Sequence, residues 1–257
     1  MARARKRHVQ LVWTHGLRKP DKNGQFRGGT HKRQGRPKRG VRASERHKVR
    51  PELKGRFPVH IILRASADLG SLRTPAVFTA IREATLVAFK LEDSFHIVHY
   101  SIQRTHIHLI VEASGRLALA KGMQVFGISA AKHINAAVPP RDGRRRRGTV
   151  FADRYHAVIL TNPTQVRNTL SYVLNNWRHH GEHTKPLRKP WKIDPYSTAL
   201  AFDGWKERAE VGTRYRVPVG YAGPLVWLPK TWLLREGWRV RGLISIHETP
   251  GSGSGAE

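Results

Sequence analysis

"FHIVHYSIQRTHIHLIVEA", residues 95–113, decides the fold. Two short runs rich in β-branched and aromatic residues, "FHIVHYSIQ" and "HIHLIVEA", meet at Arg104-Thr105, a pattern that predicts a β-hairpin. Side chains alternate between faces along a strand. His106, His108, Ile110 and Glu112 therefore share one face, and Ile107, Leu109 and Val111 the other. The all-aliphatic face is the candidate core. Outward from the hairpin, "FPVHIILRA" (57–65) reads as an earlier strand, and Thr74-Pro75 supplies an N-cap and an N1 proline for a helix over 75–93. After the hairpin, "LALAKGMQVFGISAAKHINAAV" (117–138) reads as a second helix, weakened by Gly122 and Gly127. "TVFADRYHAVIL" (149–160) reads as a fourth strand. Asn162-Pro163 opens a third helix, "PTQVRNTLSYVLNNWRHH" (163–180), which Gly181 stops. The order β-α-β-β-α-β predicts an α+β, ferredoxin-like antiparallel sheet with two helices on one face. The added helix is left to cover the other face or an edge.

Charge sets the class of partner. The chain has 47 Lys and Arg against 18 Asp and Glu, a net charge of +29 over 257 residues. So large a surplus points to a polyanion, above all nucleic acid. No long apolar segment or basic amphipathic helix argues for a membrane. No apolar stretch of signal-peptide type follows the basic N-terminus. Zero cysteines exclude disulfides and thiolate metal sites. A cytoplasmic, nucleoid-associated protein is the expectation, as a monomer or homodimer. Residues 1–56 hold 19 Lys and Arg against Asp21, Glu45 and Glu52. With few large apolar residues, this segment reads as a largely disordered basic DNA-binding arm. Within it "QGRPKRG" (34–40) has the look of an AT-hook, with Arg36, Lys38 and Arg39 as groove contacts. The plainer reading is a generic basic tail. Residues 57–183 are the predicted folded domain. Residues 184–257 are an extension of unassigned role, with an extended connector, a Trp-rich stretch and a flexible tail.

The His pair alone is a weak signal, since 15 His in 257 residues give about 0.9 His-x-His triplets by chance. It needs a partner, and the third helix supplies one. Its apolar stripe runs through Val166, Leu170, Val173, Leu174 and Trp177. Tyr172 and Asn176 lie outside the stripe, one turn apart on one flank. Two imidazoles and an amide oxygen would leave positions open on a six-coordinate cation for phosphate oxygens and water. Such an ion would polarise a phosphodiester, and a tyrosine could attack the phosphorus and keep it as a phosphotyrosine.

"HIHLIVEA", followed some 60 residues later by "YVLNN", resembles the HUH nucleases, and within them the REP-associated tyrosine transposases, a single-tyrosine transposase-like family. The likeness covers about Phe57 to His183. A looser match lies in the basic arm and in "KTWLLREGWRVRGLI". The resemblance implies that His106, His108 and Asn176 hold Mg²⁺ or Mn²⁺. It implies that Tyr172 is the nucleophile, and that the substrate is single-stranded hairpin DNA, short palindromes of the REP type. The family often has Asn before the first His; here it is Thr105. Imidazole ligands favour Mn²⁺ of the two ions. Since imidazole must be neutral to ligate, binding should weaken below about pH 6.

Rival readings of individual residues stand beside this. Tyr155 is the alternative nucleophile, on the fourth strand without a ligand four residues on. Glu112 is a candidate supplementary ligand. His60, His96 and His99 read as structural. His179, His180 and His183 read as solvent-facing or phosphate-contacting. Arg144, Arg145, Arg146 and Arg147 are either a solvated loop or a phosphate clamp for single-stranded DNA. The competing function is non-catalytic: a domesticated transposase that only docks on hairpins, or an RNA-binding module using the same sheet, which would need paired aromatics on an open face.

Overall fold

Four strands and two long helices build the predicted framework. The computed structural model describes residues 51–91, 94–138, 146–182, 193–207 and 222–249. Arg36, Lys38, Arg39, Arg144, Arg145 and His183 lie outside them. The strands are β1 (Val59–Arg64), β2 (Phe95–Ile102), β3 (His106–Ala113) and β4 (His156–Ile159). They lie in the order β2-β3-β1-β4 with every neighbouring pair antiparallel. Both β1 and β2 run opposite to the β3 between them, so they are parallel to each other. The connection between them is therefore a crossover through α1 (Pro75–Phe89), as the connection from β3 to β4 is through α2 (Arg116–Ala137). This is the ferredoxin-like arrangement that the element order predicts.

Local chemistry explains the elements. The Thr74 hydroxyl accepts from the Val77 amide at 3.2 Å and Pro75 occupies the first turn of α1, where its missing N–H costs nothing. Gly122, read from sequence as a weak point of α2, has a packing reason. A Cβ there would stand 2.1 Å from Cγ of Phe95, so only glycine lets the helix lie this close to β2. Gly127 has open space around it.

The sheet has a core on each face. Ile61, Leu63, Ile107, Leu109 and Val111 pack with the buried sides of α1 and α2. On the other face Ile110 and Val98 pack under α3 (Pro163–Leu174), whose stripe of Val166, Leu170, Val173 and Leu174 is buried as the sequence indicates. Phe202, Trp205, Trp238, Ile244 and Ile246 complete this second core. The described residues from Ile193 on thus share a core with the sheet. Part of that region also covers the outer edge of β2. Ile102 donates to the Tyr196 carbonyl, Tyr100 N–H to the Thr198 hydroxyl and Trp227 N–H to the Ile97 carbonyl. An edge strand left open would invite pairing with another chain.

Two elements differ from expectation. The fourth strand is confined to His156–Ile159, with only an isolated bridge from Phe151 to Ala65 before it. Asp153 accepts from the Arg154 amide at 2.7 Å, a local bond that competes with the ladder. The third helix does not run unbroken to 180. It stops at Leu174, and a short helix α4 (Asn176–His179) follows. Asn175 sits between them at φ −104, ψ 10, with its side chain donating to the Ser245 carbonyl at 2.9 Å. An asparagine that finds a partner off the helix favours such a break. A last short helix, α5 (Trp232–Arg235), leads into a 3-10 turn at Gly237–Arg241. Among the described residues no helix is long and apolar enough to cross a membrane.

Candidate metal and nucleophile site

The site lies on the sheet face shared with α3. His108 is buried and His106 is half-buried, both on β3. Their Nε2 atoms stand 2.9 Å apart with the rings nearly perpendicular. The Asn176 amide reaches the same point, 3.2 Å from His108 Nε2, from a fully buried position. Asn176 is the first residue of α4, just past the break at Asn175. Tyr172 is half-buried, one turn earlier, with its ring edge-on to His108 at a centroid separation of 5.2 Å. The four residues singled out by sequence therefore converge.

Their chemistry suits a cation. Burial, with the charges of His180 and Arg64 next, lowers the His106 pKa to about 4. Burial, with His60, His106 and His180 next, lowers that of His108 to about 2. Both imidazoles are neutral at pH 7, the form that ligates. Each ring also has a neighbour at Nδ1: the Thr105 hydroxyl at 3.3 Å for His106 and His60 Nε2 at 3.0 Å for His108. A partner for Nδ1–H frees the Nε2 lone pair. Two ligands about 2.1 Å from one ion and at right angles lie about 3.0 Å apart. The observed 2.9 Å fits that spacing better than a tetrahedral pair. The Asn176 Oδ1 is buried without a hydrogen-bond partner. Turning the amide over would aim that oxygen at the two nitrogens. Among the described residues no group of three or more His, Cys, Asp or Glu could hold a metal ion. The set is two imidazoles and an amide.

The other sequence candidates fall elsewhere. Glu112 is buried at the far end of β3, where its two oxygens accept from the Lys230 and Thr231 amides at 2.8 Å each. It anchors the segment before α5 and is engaged away from the His pair. Tyr155 packs against the core on the α1/α2 face, opposite the His pair. Arg146 is tied inward, to Asp68 at 2.6 Å, to the Thr149 carbonyl at 3.0 Å and to Asn135. Arg147 is exposed. His179 and His180 are exposed at the site's rim, with His180 beside His106 and His179 beside Tyr172. Two neighbours escaped the sequence reading. His60, read as structural, faces both His108 and Tyr172. Exposed Arg64 stands directly across from His106 in the β1–β3 register. The alternation in "FPVHIILRA" puts His60, Ile62 and Arg64 on one face, but only the β1–β3 register shows that it is the His face.

The C-terminal region holds the helix that carries Tyr172. Arg167, Ser171 and Asn175, at intervals of four, form one ridge of α3 and its end. Arg167 donates to both oxygens of Glu248 at 2.6 and 2.8 Å, and to the Leu243 carbonyl at 3.2 Å. Ser171 donates to Glu248 at 2.6 Å and Asn175 to the Ser245 carbonyl. Burial alone would raise the Glu248 carboxyl. The bonds from Arg167 and Ser171 and the Arg167 charge outweigh it and hold the group below the usual carboxylate range. The segment 243–248 thus straps the helix, and Glu207 ties that strap down in turn, accepting from the Ser245 hydroxyl and from the Ile246 amide.

Residues 58–176 match the model of a family described as IS200-like transposases. That span begins just before β1 and ends on Asn176, so it holds the whole sheet and all four site residues. Among solved structures, a REP-associated tyrosine transposase bound to a REP hairpin is 17% identical with a TM-score of 0.46, covering 70% of this chain and 92% of that one. A bacterial tRNA(His) guanylyltransferase-like protein in complex with GTP is 13% identical with a TM-score of 0.37, covering 52% of this chain and 66% of that one. No curated protein matches the chain. Over residues 58–176 the chain is similar to the IS200-like transposases.

Proposed function

We propose that the protein is a metal-dependent endonuclease and strand-transferase that cleaves single-stranded hairpin DNA through Tyr172. The observation that carries this reading is the convergence of His106 Nε2, His108 Nε2 and the Asn176 amide within about a hydrogen bond's length, with Tyr172 against the His108 ring. His106, His108 and Asn176 would hold Mg²⁺ or Mn²⁺, with Mn²⁺ the better match for imidazole ligands. Bound there, the ion supplies Lewis-acid polarisation of a phosphate oxygen.

The chain's own residues supply the rest. The Tyr172 hydroxyl attacks phosphorus, forming the Tyr172 O–P bond while the P–O3′ bond breaks. The phenolic proton passes to solvent, to which the half-buried ring is open, and the leaving 3′ oxygen takes up a proton. The product is a 5′-phosphotyrosine, which retains the bond for return or transfer to another 3′ end. Arg64 beside His106, and the basic arm at 1–56 with Arg36, Lys38 and Arg39, offer cations for the phosphate backbone. Arg144, Arg145 and Arg147 are further candidates, whereas Arg146 is committed to Asp68. REP-like palindromes are the proposed substrate, and one chain supplies all four site residues, so a monomer suffices. The sheet face that an RNA module would present is covered by α3 and the C-terminal region. That leaves the non-catalytic hairpin binder as the rival.

Incubation with a hairpin DNA library and Mn²⁺ separates the two. A covalent protein–DNA adduct that disappears in Tyr172→Phe, with hairpin binding kept within a few-fold, is the expected result. An adduct that persists in Tyr172→Phe places the nucleophile elsewhere. Binding without any adduct in the wild type favours the non-catalytic reading.

A further inference from the structure

His60 is a buried titratable group beside the site that the proposed chemistry leaves without a task. It sits on β1, a central strand, with its backbone paired to Ile110 on one side and Val158 on the other. Its position is therefore fixed by two ladders. Its ring lies nearly parallel to that of His108, 5.2 Å between centroids at 23°, and edge-on to Tyr172 at 6.1 Å. Its Nε2 stands 3.0 Å from His108 Nδ1.

A neutral imidazole carries one N–H and one lone pair, so each ring has two tautomers. For His108 the two have opposite consequences. With the proton on Nε2, the N–H points at His106 Nε2, 2.9 Å away, and closes the pair with a hydrogen bond. With the proton on Nδ1, the Nε2 lone pair faces the place where the His106 nitrogen and the Asn176 amide meet. His60 Nε2 lies on the Nδ1 side. As an acceptor there it stabilises the second tautomer and sets the plane of the ring.

We propose that His60 is a positioning residue for the metal site, accepting the Nδ1–H of His108 and so holding His108 Nε2 as an open lone pair. The proposal rests on the metal-site reading above. It assigns His60 to the support of a ligand, with no contact to the ion or the DNA. Loss of such a support costs about 10–100-fold in metal affinity in comparable sites.

The full chain is tested with His60→Phe, which keeps a buried ring without an acceptor, and His60→Gln, whose terminal amide oxygen can take the place of Nε2. Three readouts are taken at pH 7: calorimetric titration with MnCl₂, thermal melting, and ¹⁵N NMR of the histidine rings in metal-free protein. The expected result is Mn²⁺ binding weakened about 10–100-fold in His60→Phe and restored to within a few-fold in His60→Gln. The wild-type His108 should show a protonated Nδ1 and an unprotonated Nε2, and the Phe variant should lose that preference. A His108 protonated on Nε2 in the wild type overturns the proposal. So does Mn²⁺ binding by His60→Phe equal to that of a wild type that binds. If the wild type binds no Mn²⁺, the metal-site reading fails first and takes the proposal with it. The wild-type NMR measurement stands whether or not either variant folds.

Discussion

Removing the Glu248 carboxylate should loosen the helix that carries Tyr172. Glu248 accepts three hydrogen bonds, two from Arg167 and one from Ser171. A hydrogen bond to a charged group contributes about 1.5–3 kcal/mol, and an exposed ion pair under about 1 kcal/mol. The two charged side chains are 19% and 30% exposed, so the set belongs between these limits. Glu248→Ala also leaves Arg167 without its carboxylate. A loss of about 2 kcal/mol follows, or about 4–8 °C in melting temperature for a domain of this size. The pH dependence gives an internal check. The folded-state pKa of Glu248 is lowered, so its stabilisation is present above the unfolded glutamate value, about 4.3, and is lost as the pH falls through the folded value. The gap in melting temperature between Glu248→Ala and wild type should be full at pH 7 and shrink toward pH 3. Hydrogen exchange should show faster opening of 163–174 in the variant. Unchanged melting and unchanged exchange in that helix would refute the strap as its support.

Deleting residues 1–50, which stops short of the buried core residue Leu53, should flatten the dependence of log K on log salt, by about 0.7 for each phosphate that the arm no longer neutralises on single strands, while the choice of hairpin is kept. An unchanged salt slope would remove the arm from the interface, and a lost preference for A·T-rich flanks would support the groove-reading role of Arg36, Lys38 and Arg39. Acid should act on the site later than an ordinary imidazole implies. With His106 lowered to about 4 and His108 to about 2, Mn²⁺ affinity should hold from pH 7 to about pH 5 and fall only below it, in place of the fall below about pH 6 expected from the reference pKa. The same shifts make the fold acid-sensitive. The unfolded chain takes up protons below about 6.5 that the folded site refuses, so stability present above that pH is lost as the pH falls toward the folded values. A melting temperature of the metal-free protein that stays flat from pH 7 to pH 4 would contradict the burial of these rings.

The sheet was legible because its signals are local. Alternation in "HIHLIVEA" separates Ile107, Leu109 and Val111 from His106 and His108, and the two faces pack as that alternation requires. Thr74-Pro75 and Asn162-Pro163 mark helix starts through caps within three residues of each other in the chain. What could not be read depends on contacts distant in sequence. Asn175 breaks the third helix because it finds a carbonyl 70 residues away, and no periodicity carries that information. Glu112 looked available to a metal because its two amide donors lie 118 and 119 residues on. His60 gained its place from the β1–β3 register, which brings residues 48 apart within a hydrogen bond. Gly122 read as a helix weakness because helix propensity is local, whereas the need for a missing Cβ arises from Phe95 on another element.

The most direct measurement of the central claim is calorimetric titration of Mn²⁺ into the wild type, His106→Ala and His108→Ala, with thermal melts alongside. The wild type should bind one ion. Both variants should lose that binding, and with it the covalent DNA adduct. His106→Ala should melt close to the wild type, because the half-buried His106 side chain lies outside both cores and such changes cost within about 0.5 kcal/mol. His108→Ala should melt somewhat lower, since its ring is buried. Mn²⁺ binding that survives in both variants would contradict the account and return "HIHLIVEA" to an ordinary strand that happens to contain histidine.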